Sequence, residues 1–150
     1  AQTSFTLEEA AALVDAVHIG LEIASSPFIG INEHGPAVTV SDFGNNNGLL
    51  IGAAVPDWQS LTFAETDISL SIDGVVAGTG RAVSFPDGPI GSVRFLLENL
   101  AARGIRLQPG TWISTGAVTG VHEVRVGQTV VADFGPLGTA HCVIRPQAAA

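Results

Sequence analysis

The stretch "VHIGLEIASSPF", residues 17–28, carries the alternation that decides the class of fold. Apolar side chains recur there at every second position, which is the period of a β-strand with one buried face. They are Val17, Ile19, Leu21 and Ile23. The opposite face carries His18, Gly20 and Glu22. A buried carboxylate is costly unless it is paired, protonated or bound to a cation, so the sequence raises the question of which of these applies to Glu22.

The segments around this strand predict further strands and few helices. "TLEEAAALVDAV", residues 6–17, predicts a helix that opens with a capping box of Thr6 and Glu9. "PDGPIGSVRFLLENLAARG", residues 86–104, predicts a second helix, with Pro89 in its first turn. These two segments are the main helices that the sequence predicts.

Three apolar segments predict the remaining strands. "GLLIGAAV", residues 48–55, is typical of a short strand buried on both faces. Two alternating runs joined by Asp73-Gly74 predict a hairpin with a type I′ turn. From Ile105 onward, strands are predicted to alternate with glycine-rich turns. The expected fold class is therefore α+β and strand-dominated.

Composition predicts one domain, residues 1–150, with a substantial interior. Hydrophobic residues make up 46% of the chain and charged residues 13%. A chain so poor in charge is expected to bury much of its surface or to pack against partners. We therefore predict either a homo-oligomer or association with a partner chain.

Charge and residue types exclude several function classes. The chain has six Arg, no Lys and fourteen acidic residues, with a net charge of −8, so a nucleic-acid partner is not expected. The absence of Lys excludes a Schiff base and a phosphate-binding P-loop. No apolar run reaches the roughly 20 residues of a membrane span, so no membrane partner is expected. A single cysteine, Cys142, fits a reducing compartment, and we predict a cytoplasmic protein.

Five ordered blocks resemble the 2-keto-4-pentenoate hydratase and 4-oxalocrotonate decarboxylase family of the fumarylacetoacetate hydrolase superfamily. They are "DAVHIGLEIASSPF", "SDFGNNNGLLIG", "DGVVAGTGRAV", "GPIGSVRFLLENLAARGIRLQPGTWISTGAVTG" and "VRVGQTVVADFGPLGTAHCVI". The resemblance covers the C-terminal region of that family. It implies a mixed β-roll, a Mg²⁺ or Mn²⁺ ion, and hydration or decarboxylation of small 2-oxo or 2-hydroxydienoic acids.

The resemblance also implies a set of site residues. Glu22 occupies the position of a metal-binding carboxylate, and hard cations prefer such oxygen ligands. Asp42 and Asn46 lie in the block where a catalytic water or substrate oxygen would be oriented, although asparagine also forms turns.

Three hydroxyl residues complete the candidate site. Ser114 and Thr119 lie in the "STGAVTG" loop, which would bind the substrate carboxylate unless it is merely a turn of small residues. Ser26 follows the first strand and is a further substrate-binding candidate. His18 shares the face of Glu22, where it either supports a metal ligand or is a satisfied, half-buried histidine.

One departure from the family leaves the function open. The family draws two more carboxylate ligands from a Glu-x-Glu pair upstream of the helix that begins at Thr6, and these 150 residues contain no matching pair. We therefore expect the family's N-terminal portion to be supplied by a partner chain or by a longer product. The alternatives are a non-catalytic remnant that kept the fold, and an acylpyruvate hydrolase of the same superfamily.

Overall fold

The chain forms six strands and three α-helices within residues 2–146, the part that this computed structural model describes. The helices are α1 (Leu7–Ala11), α2 (Pro36–Ser41) and α3 (Gly88–Ala102). The strands are β1 (His18–Ala24), β2 (Asn46–Ala54), β3 (Ile68–Ile72), β4 (Val75–Gly80), β5 (Thr129–Asp133) and β6 (Thr139–Val143). Short 3₁₀ turns lie in the connections. No helix in this part of the chain has the length and hydropathy needed to cross a membrane.

The strands form two sheets. One consists of β1 and β2, and the other has the strand order β4-β3-β5-β6. Every pairing among these strands is antiparallel. Strand β6 at the edge of the larger sheet lies against both strands of the smaller one. The strand-rich α+β class is confirmed, whereas these pairings do not establish a mixed β-roll.

The predicted hairpin is confirmed. Asp73 and Gly74 join β3 to β4 with φ angles of 49° and 80°, and two successive positive φ angles define a type I′ turn. The Asp73 carboxylate accepts hydrogen bonds from the backbone N–H of Thr129 and from Nε2 of Gln128, each at 2.9 Å. These two bonds connect the turn to the start of β5, and they hold the pKa of Asp73 below its ordinary value.

Both predicted helices form, although the first is shorter than expected. Thr6 and Glu9 form the capping box of α1, but the helix ends at Ala11 instead of continuing to Val17. The carbonyl of Val17 accepts a hydrogen bond from the N–H of Val55 at 2.8 Å, so this residue already belongs to the strand pairing. Helix α3 follows its prediction, with Pro89 in the first turn and an end at Ala102.

Two clusters of buried side chains form the core, and β1 contributes to both. The first contains Ala10, Ile19, Val55, Trp58 and Ile90. The second contains Leu21, Val130, Ala132 and Ala140. Burial of each large aliphatic side chain contributes about 1.5–3 kcal/mol. The apolar face of β1 therefore packs in two places. Ile19 shares a cluster with Ile90 of helix α3, and Leu21 shares a cluster with residues of the larger sheet.

Two expectations about strands are wrong. Strand β2 is not buried on both faces, because its exposure alternates and no residue of Asn46–Ala54 is fully buried. The expected strands between residues 105 and 128 do not form. The backbone bonds of that segment are mostly local, such as Thr111 N–H to Gln108 O and Gly120 N–H to Ala117 O. An alternating sequence predicts an extended chain, which becomes a strand only when a neighbouring backbone pairs with it.

Candidate functional site

Glu22 lies on the uncovered face of the small sheet. Antiparallel pairing sets Glu22 opposite Leu49 and Gly20 opposite Ile51, and directly paired residues point to the same side of a sheet. Ile19 and Leu21 point to the other side and are buried. Glu22 itself is exposed, which corrects the expectation of a buried carboxylate. The cost of desolvating its charge does not arise, because the described residues leave this face open.

The structure joins Glu22 to one of the predicted substrate-binding residues. The hydroxyl of Ser114 donates a hydrogen bond to Oε2 of Glu22 at 2.9 Å, across 92 positions of sequence. Oε1 of Glu22 has no hydrogen-bond partner within residues 2–146. A hydroxyl that donates to one carboxylate oxygen orients the group and leaves the other oxygen available to a ligand. Two residues to which the resemblance gave different roles therefore form one polar contact.

Two aromatic rings lie on the same face of β1. Nδ1 of His18 is 2.9 Å from the carbonyl oxygen of Gly52, and a carbonyl only accepts, so this nitrogen carries the proton. The imidazole meets the indole of Trp112 edge to face, with ring centroids 5.1 Å apart and an interplanar angle of 82°. Sequence reasoning missed Trp112. Its position two residues before Ser114, hence on the same side of an extended segment, was the available signal.

The other predicted site residues occupy separate places. The hydroxyl of Ser26 accepts a hydrogen bond from the N–H of Phe28 at 3.0 Å, so it stabilises a local turn. Thr119 lies in a loop over β4, where its carbonyl accepts from Nε2 of His122 at 2.8 Å. In the described part of the chain, neither of these residues is hydrogen-bonded to Glu22.

Asp42 and Asn46 flank a tight turn instead of meeting Glu22. Asp42 ends α2 and its carbonyl accepts from the N–H of Asn45, whereas Asn46 begins β2 opposite Ala24. Asn45 adopts a φ of 61°, which supports the turn-forming role of the asparagine run. The inward-facing amide is that of Asn45, whose Oδ1 is buried without a hydrogen-bond partner among residues 2–146.

The residues present do not by themselves fit a resident divalent cation. Glu22 supplies the type of oxygen that Mg²⁺ and Mn²⁺ prefer. However, no group of three or more His, Cys, Asp or Glu side chains suited to a metal occurs in residues 2–146. Mg²⁺ takes about six oxygen ligands. One carboxylate and one hydroxyl are therefore too few to hold the ion.

Two surface depressions of the described chain lie away from Glu22. One of about 530 Å³ is lined by residues that include Asp67, Arg81 and Asp133. Another of about 300 Å³ is lined by residues that include Phe85 and Ile90. Neither includes Glu22 or Ser114 in its lining. The exposure of Glu22, Leu49 and Ile51 instead describes an open surface in residues 2–146.

Among known proteins, the chain is similar to a hydratase and to a decarboxylase. No family model matches the chain. The 2-oxo-hept-4-ene-1,7-dioate hydratase of Escherichia coli is 28% identical over 104 residues, which are 69% of this chain and 39% of the hydratase. The chain therefore spans well under half the length of this curated relative.

The 4-oxalocrotonate decarboxylase from Pseudomonas putida G7 shares the fold. Its structures, one complexed with calcium and acetate and one with magnesium and adipate, match with TM-scores of 0.77 and 0.79. Sequence identity is 23% in both cases. The match covers 93% of this chain but only 51% and 52% of the decarboxylase. The predicted resemblance is confirmed: over part of their length, the chain is similar in sequence to a hydratase and in fold to a decarboxylase of the family that its motifs indicated.

Proposed function

We propose that the chain carries part of the active site of an enzyme that hydrates or decarboxylates small 2-oxo or 2-hydroxydienoic acids with a divalent cation. The hydrogen bond between Ser114 and Glu22 is the observation that carries this proposal. It sets a hydroxyl from the loop segment beside the carboxylate at the position that resembles a metal ligand. The hydratase and the decarboxylase similar to this chain handle unsaturated or 2-oxo diacids by their names, which supports the substrate class.

The uncovered face of the small sheet supports a site completed by further polypeptide. Leu49 and Ile51 flank Glu22 and Gly20 on this face, and they are 39% and 41% exposed. A solvent-facing strand normally alternates apolar and polar side chains, yet residues 48–55 are apolar on both sides. In this proposal, a segment outside the described residues covers the face and contributes the remaining carboxylates. A homo-oligomer or a partner chain supplies it if it is not part of the same polypeptide.

Within this proposal, each residue of the chain has a limited role. Glu22 would be one of the residues that hold the cation, and Ser114 orients its carboxylate through Oε2. The hydroxyls and backbone amides of residues 114–120 bind anionic oxygens of the substrate without a cationic side chain. Asp42 and Asn46 orient water or substrate only if the covering segment brings the substrate over the turn that they flank. The fold is proposed to be a single domain of the β-roll type, in a cytoplasmic protein.

Catalysis is tested with the full chain and its covering segment or partner. Loss of dienol absorbance from 2-hydroxypenta-2,4-dienoate is followed with and without Mg²⁺ or Mn²⁺, and CO₂ release is measured from 4-oxalocrotonate. We expect Glu22→Gln to lower kcat/KM at least about 100-fold, since mutating even the residues that only orient metal ligands costs about 10–100-fold in metal affinity or activity. Glu123→Gln is the matched control, because Glu123 is exposed and lies outside the site. Equal activity of the two variants would contradict the proposal.

A non-catalytic remnant is the second candidate, and the isolated carboxylate of Glu22 favours it. Binding of Mn²⁺, followed by electron paramagnetic resonance, separates the two. An enzyme should bind the ion once the covering segment is present and should lose it in Glu22→Gln. A remnant should bind Mn²⁺ equally weakly in the parent chain and in Glu22→Gln. Hydrolysis of an acylpyruvate in the same preparation would instead favour the other alternative, an acylpyruvate hydrolase.

A further inference from the structure

The segment that presents Ser114, residues 112–116, lacks backbone hydrogen bonds within the described part of the chain. No backbone–backbone bond involves residues 112–116 among the pairs found within residues 2–146, and the segment belongs to neither sheet. Its position must therefore come from side-chain contacts. A single hydrogen bond contributes about 0.5–3 kcal/mol, whereas fixing the backbone of each residue costs about 1–2 kcal/mol. The contact of Ser114 with Glu22 is thus too weak to fix the segment unaided.

The hydrogen bond between Ser114 and Glu22 lies beside an aromatic contact between the imidazole of His18 and the indole of Trp112. His18 and Glu22 lie on the same face of β1, and Trp112 and Ser114 lie two positions apart on the extended segment. Trp112 meets His18 while Ser114 meets Glu22, so the segment runs along the strand and contacts it at both points. Edge-to-face aromatic pairs contribute about 0.5–1.5 kcal/mol beyond the burial of their surface.

The imidazole is itself held in place. Its Nδ1–H donates to the carbonyl of Gly52 in β2 at 2.9 Å, and the ring is half-buried. A ring whose rotation is fixed by a backbone acceptor offers its neighbour a constant edge or face. The chain of contacts therefore starts at a rigid sheet and ends at the hydroxyl that orients Glu22.

We propose that His18 is a positioning residue of the Glu22 site, which acts through Trp112 to hold Ser114 against the carboxylate. The proposal rests on the proposed function only in taking Glu22 as a ligand. The geometry itself is independent of any reaction. It assigns His18 a role through its ring rather than through proton transfer, and it gives Trp112 a role that the sequence did not indicate.

Nuclear Overhauser effects in the full chain test this order of contacts. The informative signal joins the β-protons of Ser114 to the γ-protons of Glu22. We expect it to disappear in His18→Asn, which keeps a donor near the position of Nδ1 but removes the ring. His18→Phe keeps a ring but removes the donor that fixes it, so the signal should weaken without disappearing. Loss in His18→Phe, or survival in His18→Asn, would overturn the proposal.

Two further variants keep the test decisive if His18→Asn does not fold. Trp112→Leu changes a half-exposed side chain outside both core clusters, and it should also abolish the signal between Ser114 and Glu22. Ser114→Ala should leave the signal between the rings of His18 and Trp112 intact, because the aromatic contact buries apolar surface and does not need the hydroxyl. If the signal between Ser114 and Glu22 persists in Trp112→Leu, the proposal is wrong. Inactivity of Glu22→Gln is a separate result, so failure of the proposed function remains distinguishable.

Discussion

The two sheets of this molecule differ in how much of their surface is buried within residues 2–146. The larger sheet buries Val130, Ala132 and Ala140 on one side, and Asp73 connects its hairpin to β5. The smaller sheet buries only the side that carries Ile19 and Leu21. Its other side leaves a carboxylate beside exposed aliphatic side chains. The larger sheet therefore serves mainly to hold the fold together, whereas the uncovered face of the smaller one is available for binding.

The largest effect should come from the buried side of β1. Ile19→Ala removes a side chain that is 3% exposed and packed in the first core cluster, and we expect it to lower the free energy of unfolding by about 2–5 kcal/mol. Ile51→Ala, on the open side of the same sheet, is the matched control and should cost less than about 1.5 kcal/mol. Urea unfolding measures both. Equal losses of unfolding free energy would show that the two sides of this sheet contribute equally to stability.

A smaller effect is expected where the loop over β4 approaches the larger sheet. A Cβ at Gly78 would lie 2.2 Å from the carbonyl oxygen of Thr119, so Gly78→Ala must displace backbone, at a cost of about 1–3 kcal/mol. Gly48→Ala in β2 has no atom within 4 Å of its added Cβ. It should change stability by about 0.5 kcal/mol or less. Thermal unfolding of both variants tests this; a harmless Gly78→Ala would show that the loop moves freely.

The hydrogen bonds that the Asp73 carboxylate accepts from Thr129 and Gln128 predict that the stability of the fold depends on pH. Its pKa is held below the ordinary value of 3.8 by the N–H of Thr129 and then by Gln128, so the unfolded chain binds the proton more readily. The stabilisation is therefore present above pH 3.8 and is lost as the pH falls through the lowered pKa of the folded state. Asp73→Asn should have a lower urea midpoint than the parent at pH 7, and the difference should shrink below pH 4. A difference independent of pH would assign the effect to turn geometry alone.

The smallest effect on stability should come from the open face, together with a clear effect on association. Leu49→Ser combined with Ile51→Thr should change the free energy of unfolding by about 1 kcal/mol or less, since both side chains are partly exposed. The same change should reduce self-association, measured by light scattering across a concentration series. The exposed Val75→Thr on the larger sheet is the control. Unchanged association would exclude the open face as the contact surface.

Local sequence signals predicted the elements that depend on neighbouring residues. The Thr6–Glu9 capping box, the Asp73-Gly74 turn and the Pro89 helix start each rest on contacts within a few positions, and each forms as expected. The β1 alternation also correctly separated Ile19 from Glu22.

Features that depend on distant partners were not predictable in the same way. The apolar sequence of β2 indicated two buried faces. A strand's own sequence does not show which of its faces residues 2–146 cover. The resemblance indicated Ser114 and Glu22 as separate site residues, but nothing in the sequence predicted the hydrogen bond between them. Trp112 was overlooked because its partner, His18, is 94 positions away in sequence. The segment between residues 105 and 128 alternates like strands, but pairing partners decide whether a ladder forms.

The two-residue period of β1 has a consequence for how this chain can change over generations. A single inserted or deleted residue between His18 and Glu22 would turn the carboxylate inward and an isoleucine or leucine outward on one side of the change. Such a change is eliminated for its effect on folding, whatever happens to catalysis. The placement of Glu22 is therefore inherited together with the core, and descendants would keep a carboxylate position on this face whether or not it binds a ligand.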